Sequence, residues 1–116
     1  MGLAWDRGRA AEDLAAAYFE MLGAEIVARN VRLDGVEVDL IVQDGRTRVL
    51  VEVRYRTSSD FGGATASIDA RKCARLRRAA RGSLRQHPGL TRIDVVALML
   101  DAEGVRLQHL RSAVTD

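Results

Sequence analysis

Carboxylates interrupt two runs of apolar residues, at residues 36–42 and 49–56. Asp39 lies in the first run and Glu52 in the second, and Arg54 follows Glu52 two residues later. Like charges that face one another on a sheet destabilise it by about 0.2–1 kcal/mol per pair, so a counter-charge must offset them. An Asp and a Glu beside a partly hydrated Mg²⁺ form the usual site of phosphoryl chemistry. The other interpretation is a solvated acidic face whose counter-charges are arginines.

The two runs are predicted to pair as an antiparallel hairpin, because Asp44-Gly45 between them is typical of a tight turn. A two-residue loop would place Glu37 opposite Glu52, whereas a four-residue loop would place Asp39 opposite Glu52. Since side chains alternate between the two faces of a strand, either alignment puts these three carboxylates on one face. The opposite face is predicted to be an apolar core of Val38, Leu40, Val42, Val49, Val51, Val53 and Tyr55.

Asp39, Glu52 and Arg54 together resemble the pattern of PD-(D/E)XK nucleases, an Asp followed at a distance by Glu-x-Lys. More closely, Gly-Val-Glu-Val-Asp-Leu-Ile at residues 35–41 and Val-Glu-Val-Arg-Tyr-Arg at residues 51–56 resemble two motifs of the YraN-like family of uncharacterised bacterial proteins. The family motifs are Gly-Glu-Ile-Asp-Leu-Ile and Val-Glu-Val-Lys-Thr-Arg. That family is similar in fold to archaeal Holliday junction resolvases. The resemblance covers most of the chain.

The resemblance implies a metal-dependent endonuclease that hydrolyses DNA phosphodiester bonds, with branched DNA among its substrates. It implies that Asp39, Glu52 and Glu12 hold Mg²⁺ or Mn²⁺ and that Glu37 assists them. Glu12 matches the helix glutamate of the family's Gly-x-x-Gly-Glu opening. From spacing alone, an ion pair with Arg9 explains Glu12 equally well.

This sequence departs from the motif at its lysine, where Arg54 stands. A lysine offers a compact ammonium that can approach a metal-bound water, whereas the planar guanidinium of arginine prefers a bidentate carboxylate. Lys72, the single lysine of the chain, matches the family's helix lysine and is a second candidate for the missing ammonium. The alternative function is therefore a catalytically impaired nucleic-acid-binding module on the same fold.

Basic charge is concentrated in one segment of the chain. Residues 70–93 carry eight basic side chains and no acidic one, although the formal net charge of the whole chain is only +2. A predicted helix arranges most of them along one stripe, which is either a solvated face or a contact for the phosphates of nucleic acid, DNA more than RNA. The predicted phosphate contacts are Arg56, Arg71, Lys72, Arg75 and Arg78. The opposite, apolar stripe is predicted to comprise Cys73, Leu76, Ala80 and Leu84.

Helical periodicity predicts two helices. The first spans about residues 7–22 with Asp6 as its N-cap. Its predicted core face comprises Ala10, Leu14, Ala17, Tyr18, Met21 and Leu22. The second helix begins after Ser67 or Asp69 and ends near Gln86.

Three further strands are predicted at residues 24–29, 91–100 and 105–110, and a polar loop at residues 57–64. With the hairpin and the two helices they give an α/β architecture, a mixed five-stranded sheet flanked by helices. The resemblance makes this a restriction-endonuclease-like core and residues 1–116 a single endonuclease-like domain.

Two polar residues of these strands have less specific explanations. Asp94 matches an aspartate of the family's Arg-x-Asp-Val-Val element, and from the residues alone it is a partner for Arg92. His109 alternates with apolar neighbours and is predicted to pack in the core rather than bind a ligand.

Composition favours a cytoplasmic protein with no membrane partner. Cys73 is the single cysteine, so an intramolecular disulfide is excluded and a reducing compartment fits. No apolar run approaches the roughly 18 residues of a membrane span. Resolvase-like relatives suggest a homodimer.

Overall fold

The computed structural model describes residues 3–57 and 68–115, along which two helices and five strands follow one another. Their bounds are α1 (Leu3–Met21), β1 (Glu25–Leu33), β2 (Val36–Asp44), β3 (Thr47–Thr57), α2 (Ala70–Gln86), β4 (Leu90–Asp101) and β5 (Gly104–Val114). Neither of these helices is long and apolar enough to cross a membrane. Most of the predicted polar loop, residues 58–64, lies outside the described residues, as does Ser67.

The five strands form one mixed sheet in the order β1-β2-β3-β4-β5. Neighbouring strands are antiparallel except β3 and β4, which run parallel from the pair Thr47 and Leu90 to the pair Thr57 and Leu100. A parallel pair needs a crossover connection, and α2 lies on the connection between β3 and β4. The predicted mixed five-stranded sheet flanked by helices is confirmed, in agreement with a restriction-endonuclease-like core.

Apolar side chains form a separate core on each face of the sheet. Val49 and Val51 pack on the α1 side with Phe19. Leu50, between them in the sequence, packs on the α2 side with Leu76. The two helices therefore cover opposite faces, as the alternation of side chains along β3 requires.

The buried face of α1 is not the one predicted from the sequence. Ala11, Ala15, Ala16 and Phe19 are buried, whereas Leu14, Met21 and Leu22 are 47%, 86% and 59% exposed. Alanine-rich helices offer more than one apolar arc, and here the arc that contains the large ring of Phe19 faces the sheet. The predicted cap is also wrong, because α1 begins at Leu3 and Asp6 lies inside the helix.

The second helix has the predicted bounds, with Asp69 as its N-cap. Leu76 of the predicted apolar stripe is buried, but Leu84 is 37% exposed and Gly82 and Ser83 are buried in its place. Small residues are needed there because the turn after β1 approaches closely: a Cβ on Gly82 would lie 3.0 Å from Cγ of Asp34.

Two tight turns set the register of β1, β2 and β3. Asp44 pairs with Thr47, so the loop between β2 and β3 is Gly45-Arg46 and the alignment is the one predicted for a longer loop. Asp34 and Gly35, with φ of 50° and 77°, join β1 to β2, and positive φ at both central residues is typical of a type I′ hairpin turn. The predicted end of β1 near residue 29 is wrong, because the strand continues to Leu33.

The pairing of β2 with β3 stops at Leu40 and Val51, while β3 continues beside β4 as far as Thr57. The regular alternation of β2 also breaks at this point. Val38 packs in the α2-side core and Leu40 in the α1-side core, so the prediction that both lie on one apolar face is wrong. Asp39, between them, lies where the two strands diverge. We call this divergence the fork.

A buried polar network joins β4, β5 and α1 away from the fork. Asp94 is fully buried and accepts hydrogen bonds from Arg92 Nε at 3.0 Å and from the backbone N–H of Ser112 at 2.9 Å. His109 Nε2 lies 2.8 Å from Asp94 Oδ2, and Tyr18 Oη lies 2.8 Å from His109 Nδ1. The pairing of Asp94 with Arg92 is thus confirmed. His109 packs on Phe19 as predicted, and its hydrogen bonds also hold the network together.

Candidate active site at the fork between β2 and β3

Asp39 is held at the fork by a hydrogen bond across the gap. Its Oδ2 accepts from the backbone N–H of Val53 at 2.8 Å, which takes the place of a backbone pairing that β2 and β3 no longer make. The pKa of Asp39 is raised to about 7, chiefly by burial and also by the nearby carboxylates of Glu52 and Glu12, against the lowering effects of the Val53 hydrogen bond and Lys72. The ionised form of Asp39 is therefore unfavourable in the folded protein, mainly because its carboxylate is removed from water.

Glu52 is the buried carboxylate of the site, with 6% of its surface exposed. Lys72 Nζ lies 3.4 Å from Glu52 Oε2, and Nη1 of Arg54 lies 3.8 Å from the same oxygen. Charge-assisted hydrogen bonds are usually about 2.7–2.9 Å long, so both contacts are ion pairs with room for a further ligand of that oxygen. The structure brings both candidate cations of the sequence to Glu52.

Lys72 reaches Glu52 because of the way α2 begins. Oδ1 of Asp69 accepts from the backbone N–H of Lys72 at 2.8 Å, the bond of an N-cap to the third residue of a helix. This cap fixes the backbone of Lys72 in the first turn, beside β3. The lysine side chain is 31% exposed, so its aliphatic part is covered and its ammonium lies at the mouth of the site.

Glu12 approaches the fork from α1 on the opposite side. Its Oε1 accepts from Nδ2 of Asn30 at 3.0 Å and lies 3.9 Å from Nη2 of Arg29, which also binds Asp13 at 2.6 Å. Asn30 has a left-handed φ of 51°, a conformation that asparagine tolerates better than most residues. Sequence reasoning did not connect Asn30 with Glu12, because the left-handed conformation of Asn30 is a property of the folded strand and is not visible in the sequence.

Glu37 is separated from the buried carboxylates. It is exposed, and it borders a cavity of about 580 Å³ whose other lining residues are Gly8, Arg9, Glu12, Arg29 and Asn30. The break in alternation at Asp39 turns Glu37 to the α1 side, whereas Glu52 follows Leu50 on the α2 side. The prediction that Glu37 shares a face with Glu52 is therefore wrong.

The donor set suits a hard divalent cation. Proteins commonly hold Mg²⁺ through one or two carboxylates and leave its other positions to water and substrate phosphate. Asp39 and Glu52 supply two carboxylates that interact electrostatically, since the charge of Glu52 is the second cause, after burial, of the raised pKa of Asp39. Among residues 3–57 and 68–115 no three His, Cys, Asp or Glu side chains are placed to hold a metal ion. The chemistry of this carboxylate pair fits an ion that keeps most of its water ligands, and the ligation of a metal by Asp39, Glu52 and Glu12 stays a prediction.

The arginines predicted to contact phosphate differ in exposure. Arg71, Arg75 and Arg78 are exposed on α2. Arg56 is only partly exposed, and its Nη1 donates to its neighbour's carbonyl, Tyr55 O, at 2.8 Å. The α2 stripe is thus accessible to a partner, and it begins at the same end of the helix as Lys72.

By its fold the chain is an α/β protein with a mixed five-stranded sheet, and it carries a pair of carboxylates and an ammonium at the fork. Comparison with known proteins gives its family. Residues 11–98, which include Glu12, Asp39, Glu52 and Lys72, match the uncharacterised protein family UPF0102. The chain belongs to this family, which confirms the predicted YraN-like membership.

Individual relatives match over most of their length. A UPF0102 protein of Halorhodospira halophila is 53% identical over 91 residues, which span 78% of this chain and 75% of the relative. A UPF0102 protein of Frankia casuarinae is 42% identical over 110 residues, 91% of this chain and 93% of the relative. A third, from Methylococcus capsulatus, is 39% identical over 109 residues.

Proposed function

We propose that this protein is a cytoplasmic, metal-dependent nuclease that binds DNA through α2 and hydrolyses phosphodiester bonds at the fork. The observation that carries the proposal is the meeting of Asp39, Glu52 and Lys72 at the point where β2 and β3 diverge. The buried carboxylate of Glu52 and the partly buried carboxylate of Asp39, with an ammonium 3.4 Å from Glu52, combine the oxygen donors and the positive charge that phosphodiester hydrolysis needs.

Each residue has a distinct role in this proposal. Asp39 and Glu52 would hold Mg²⁺ or Mn²⁺, which, when bound, activates water and neutralises charge on the phosphate. The Val53 N–H fixes the orientation of Asp39 and keeps one of its oxygens occupied. Lys72 stabilises the negative charge that develops on the scissile phosphate. Glu12, held by Asn30, orients water on the α1 side of the fork.

Binding in this proposal is directed to the nucleic acid backbone. The exposed α2 arginines and Arg56 neutralise phosphates, which gives affinity without sequence preference. Because the stripe begins beside Lys72, a DNA strand bound along the stripe has one end near the fork.

One observation favours a second candidate function, a nucleic-acid-binding module without catalysis. Glu52 already has two cationic neighbours, Lys72 and Arg54. Together they neutralise its charge without a metal ion, and an arginine does not readily release a proton or approach a bound water as lysine does. In that case α2 would bind DNA and the fork would be only a structural ion-pair cluster.

The test is incubation of the protein with branched and linear DNA in the presence of Mg²⁺, Mn²⁺ or a chelator. The nuclease proposal predicts products that depend on the metal and disappear in Glu52→Gln, while Glu20→Gln, an exposed acidic residue of α1, serves as the matched control. Salt-sensitive DNA binding without cleavage under any of these conditions would favour the binding module. Absence of DNA binding would contradict both.

A further inference from the structure

A second cavity lies at the far end of α2 from Lys72, between that helix and the ends of β4 and β5. Its volume is about 230 Å³. The lining residues are Arg77, Ala80, Arg81, Leu84, Thr91, Arg92, Ile93, Ser112, Val114 and Thr115. It lies outside the fork and borders the Asp94 network, because Arg92 and Ser112, which donate to Asp94, line it.

Positive charge in this cavity is not balanced by its own walls. Arg77 and Arg81 stand one helical turn apart, where like charges repel. No acidic side chain is found among the described residues that line the cavity. The third arginine, Arg92, is already paired with Asp94 and Asp44, at 3.0 and 3.1 Å. Within residues 3–57 and 68–115 the two α2 guanidiniums therefore face no carboxylate in this cavity, although Nη1 of Arg77 donates to the backbone carbonyl of Thr115 at 3.1 Å.

Hydroxyl groups occupy the wall formed by the two strands. Oγ1 of Thr91 is buried and has no hydrogen-bond partner within the part of the chain that the structure describes. A buried hydroxyl without a partner is unfavourable, and such a group in a folded protein usually marks a missing ion or water. Ser112 and Thr115 lie in the same wall. Hydroxyl donors opposite two arginines are the chemistry that binds phosphate oxygens.

We propose that this cavity binds a phosphate group. The bound phosphate could belong to an internal phosphodiester of a nucleic acid strand or be a terminal or free phosphate. The first possibility rests on the proposed function, whereas the existence of the phosphate site does not. Arg77 and Arg81 follow Lys72 by about 8 and 14 Å along the helix axis, at 1.5 Å per residue, and at about 100° per residue they lie roughly 140° and 180° around the helix from it. A nucleic acid strand bound at the fork would therefore have to pass around α2 to place a phosphodiester in this cavity.

The test is a titration of ¹⁵N-labelled protein with inorganic phosphate against chloride at constant ionic strength. Phosphate is expected to shift the amide resonances of Thr91 and Ser112 saturably, and Arg81→Gln to weaken its affinity about tenfold through loss of a charge-assisted contact. Thr91→Val, which removes the hydroxyl at nearly constant shape, is expected to weaken it as well and to raise the melting temperature. Arg85→Gln, on the same helix but paired with Asp34 outside the cavity, is the matched control.

Two further arms separate the sources of the phosphate. Stronger shifts with a 5′-phosphorylated oligonucleotide than with its unphosphorylated form identify a terminal phosphate, and equal shifts identify an internal phosphodiester. Equal affinity of wild type, Arg81→Gln and Thr91→Val, or no shift at Thr91 and Ser112, would overturn the proposal. If phosphate shifts these resonances but the wild-type protein shows no Mg²⁺-dependent cleavage of DNA, the nuclease proposal fails and the phosphate site stands.

Discussion

Nζ of Lys72 lies 3.4 Å from Oε2 of Glu52, which joins the first turn of α2 to the middle strand of the sheet. The N-cap bond from Lys72 to Asp69 fixes this geometry from the helix side. The motif position two residues after Glu52 holds Arg54, and the helix supplies an ammonium at the same carboxylate.

Lys72→Ala tests whether this ammonium acts in catalysis. We expect a loss of at least about a hundredfold in single-turnover cleavage, because removal of one group that stabilises developing charge typically costs that much. DNA affinity should change by much less than the rate. Arg85→Ala, which removes a cation from the same helix away from the fork, is the control. A similar loss of rate in both variants would mean that only the overall charge of α2 matters.

Asp39→Asn tests the charge at the fork through the pH dependence of stability. The folded-state pKa of about 7 exceeds the ordinary value of 3.8, so metal-free stability falls as pH rises between these values, as the unfolded chain ionises first. At roughly 1.4 kcal/mol per pKa unit, the ionised carboxylate costs about 4 kcal/mol above pH 7. The asparagine keeps an acceptor for the Val53 N–H but carries no charge.

Metal-free Asp39→Asn should therefore melt at a higher temperature than wild type at pH 8, and the difference should shrink toward pH 4. Thermal unfolding of both proteins across this range measures it. Mg²⁺ should stabilise wild type at pH 8 and leave the variant unchanged. A variant that is less stable than wild type at pH 8 would show that the Asp39 charge is compensated in the folded protein.

The α2 stripe is tested by the salt dependence of DNA binding. Replacement of Arg71, Arg75 and Arg78 together by alanine should reduce the slope of log affinity against log salt by about two to three units, at roughly 0.9 per lost phosphate contact. Fluorescence anisotropy with a labelled duplex at several salt concentrations gives the slope. The control variant replaces three exposed arginines elsewhere by alanine, Arg32, Arg46 and Arg111. An equal reduction of the slope in both variants would show that the stripe contributes no more than other exposed arginines.

Arg54→Lys tests the departure from the motif. Lysine at this position would restore a compact ammonium two residues after Glu52 and free that carboxylate from a planar guanidinium. We expect weak cleavage by wild type and a gain of about tenfold or more in the variant under single-turnover conditions. If Arg54→Lys binds DNA and Mg²⁺ yet cuts no substrate, the binding module is the better account of this protein.

Much of the sheet was predictable because its signals are local. Period-two alternation and two Asp-Gly turns predict the strands around Asp39 and Glu52 and confine the register to a few alignments. The N-cap Asp69 and the placement of Lys72 at the margin of the apolar stripe are local as well. The contact of Lys72 with Glu52 is a tertiary one. The resemblance suggested it, whereas periodicity alone did not.

The features that were not predictable depend on contacts between distant parts of the chain. β2 stops pairing with β3 at Leu40 while it stays paired with β1 as far as Val36, and no local sequence signal near Asp39 marks this divergence. This divergence sends Glu37 to the α1 side, against the prediction. The burial of α1 through Phe19 likewise depends on the sheet opposite, since an alanine-rich helix leaves its own orientation open.

The central claim is that the fork is a metal-dependent hydrolytic centre. Its most direct test measures single-turnover cleavage of a branched duplex as a function of Mn²⁺ concentration for wild type and Asp39→Asn, with DNA binding checked in parallel. We predict that wild type shows a saturable dependence on Mn²⁺ that a chelator abolishes, and that Asp39→Asn binds the duplex without cutting it. Equal cleavage by the two proteins would contradict the claim.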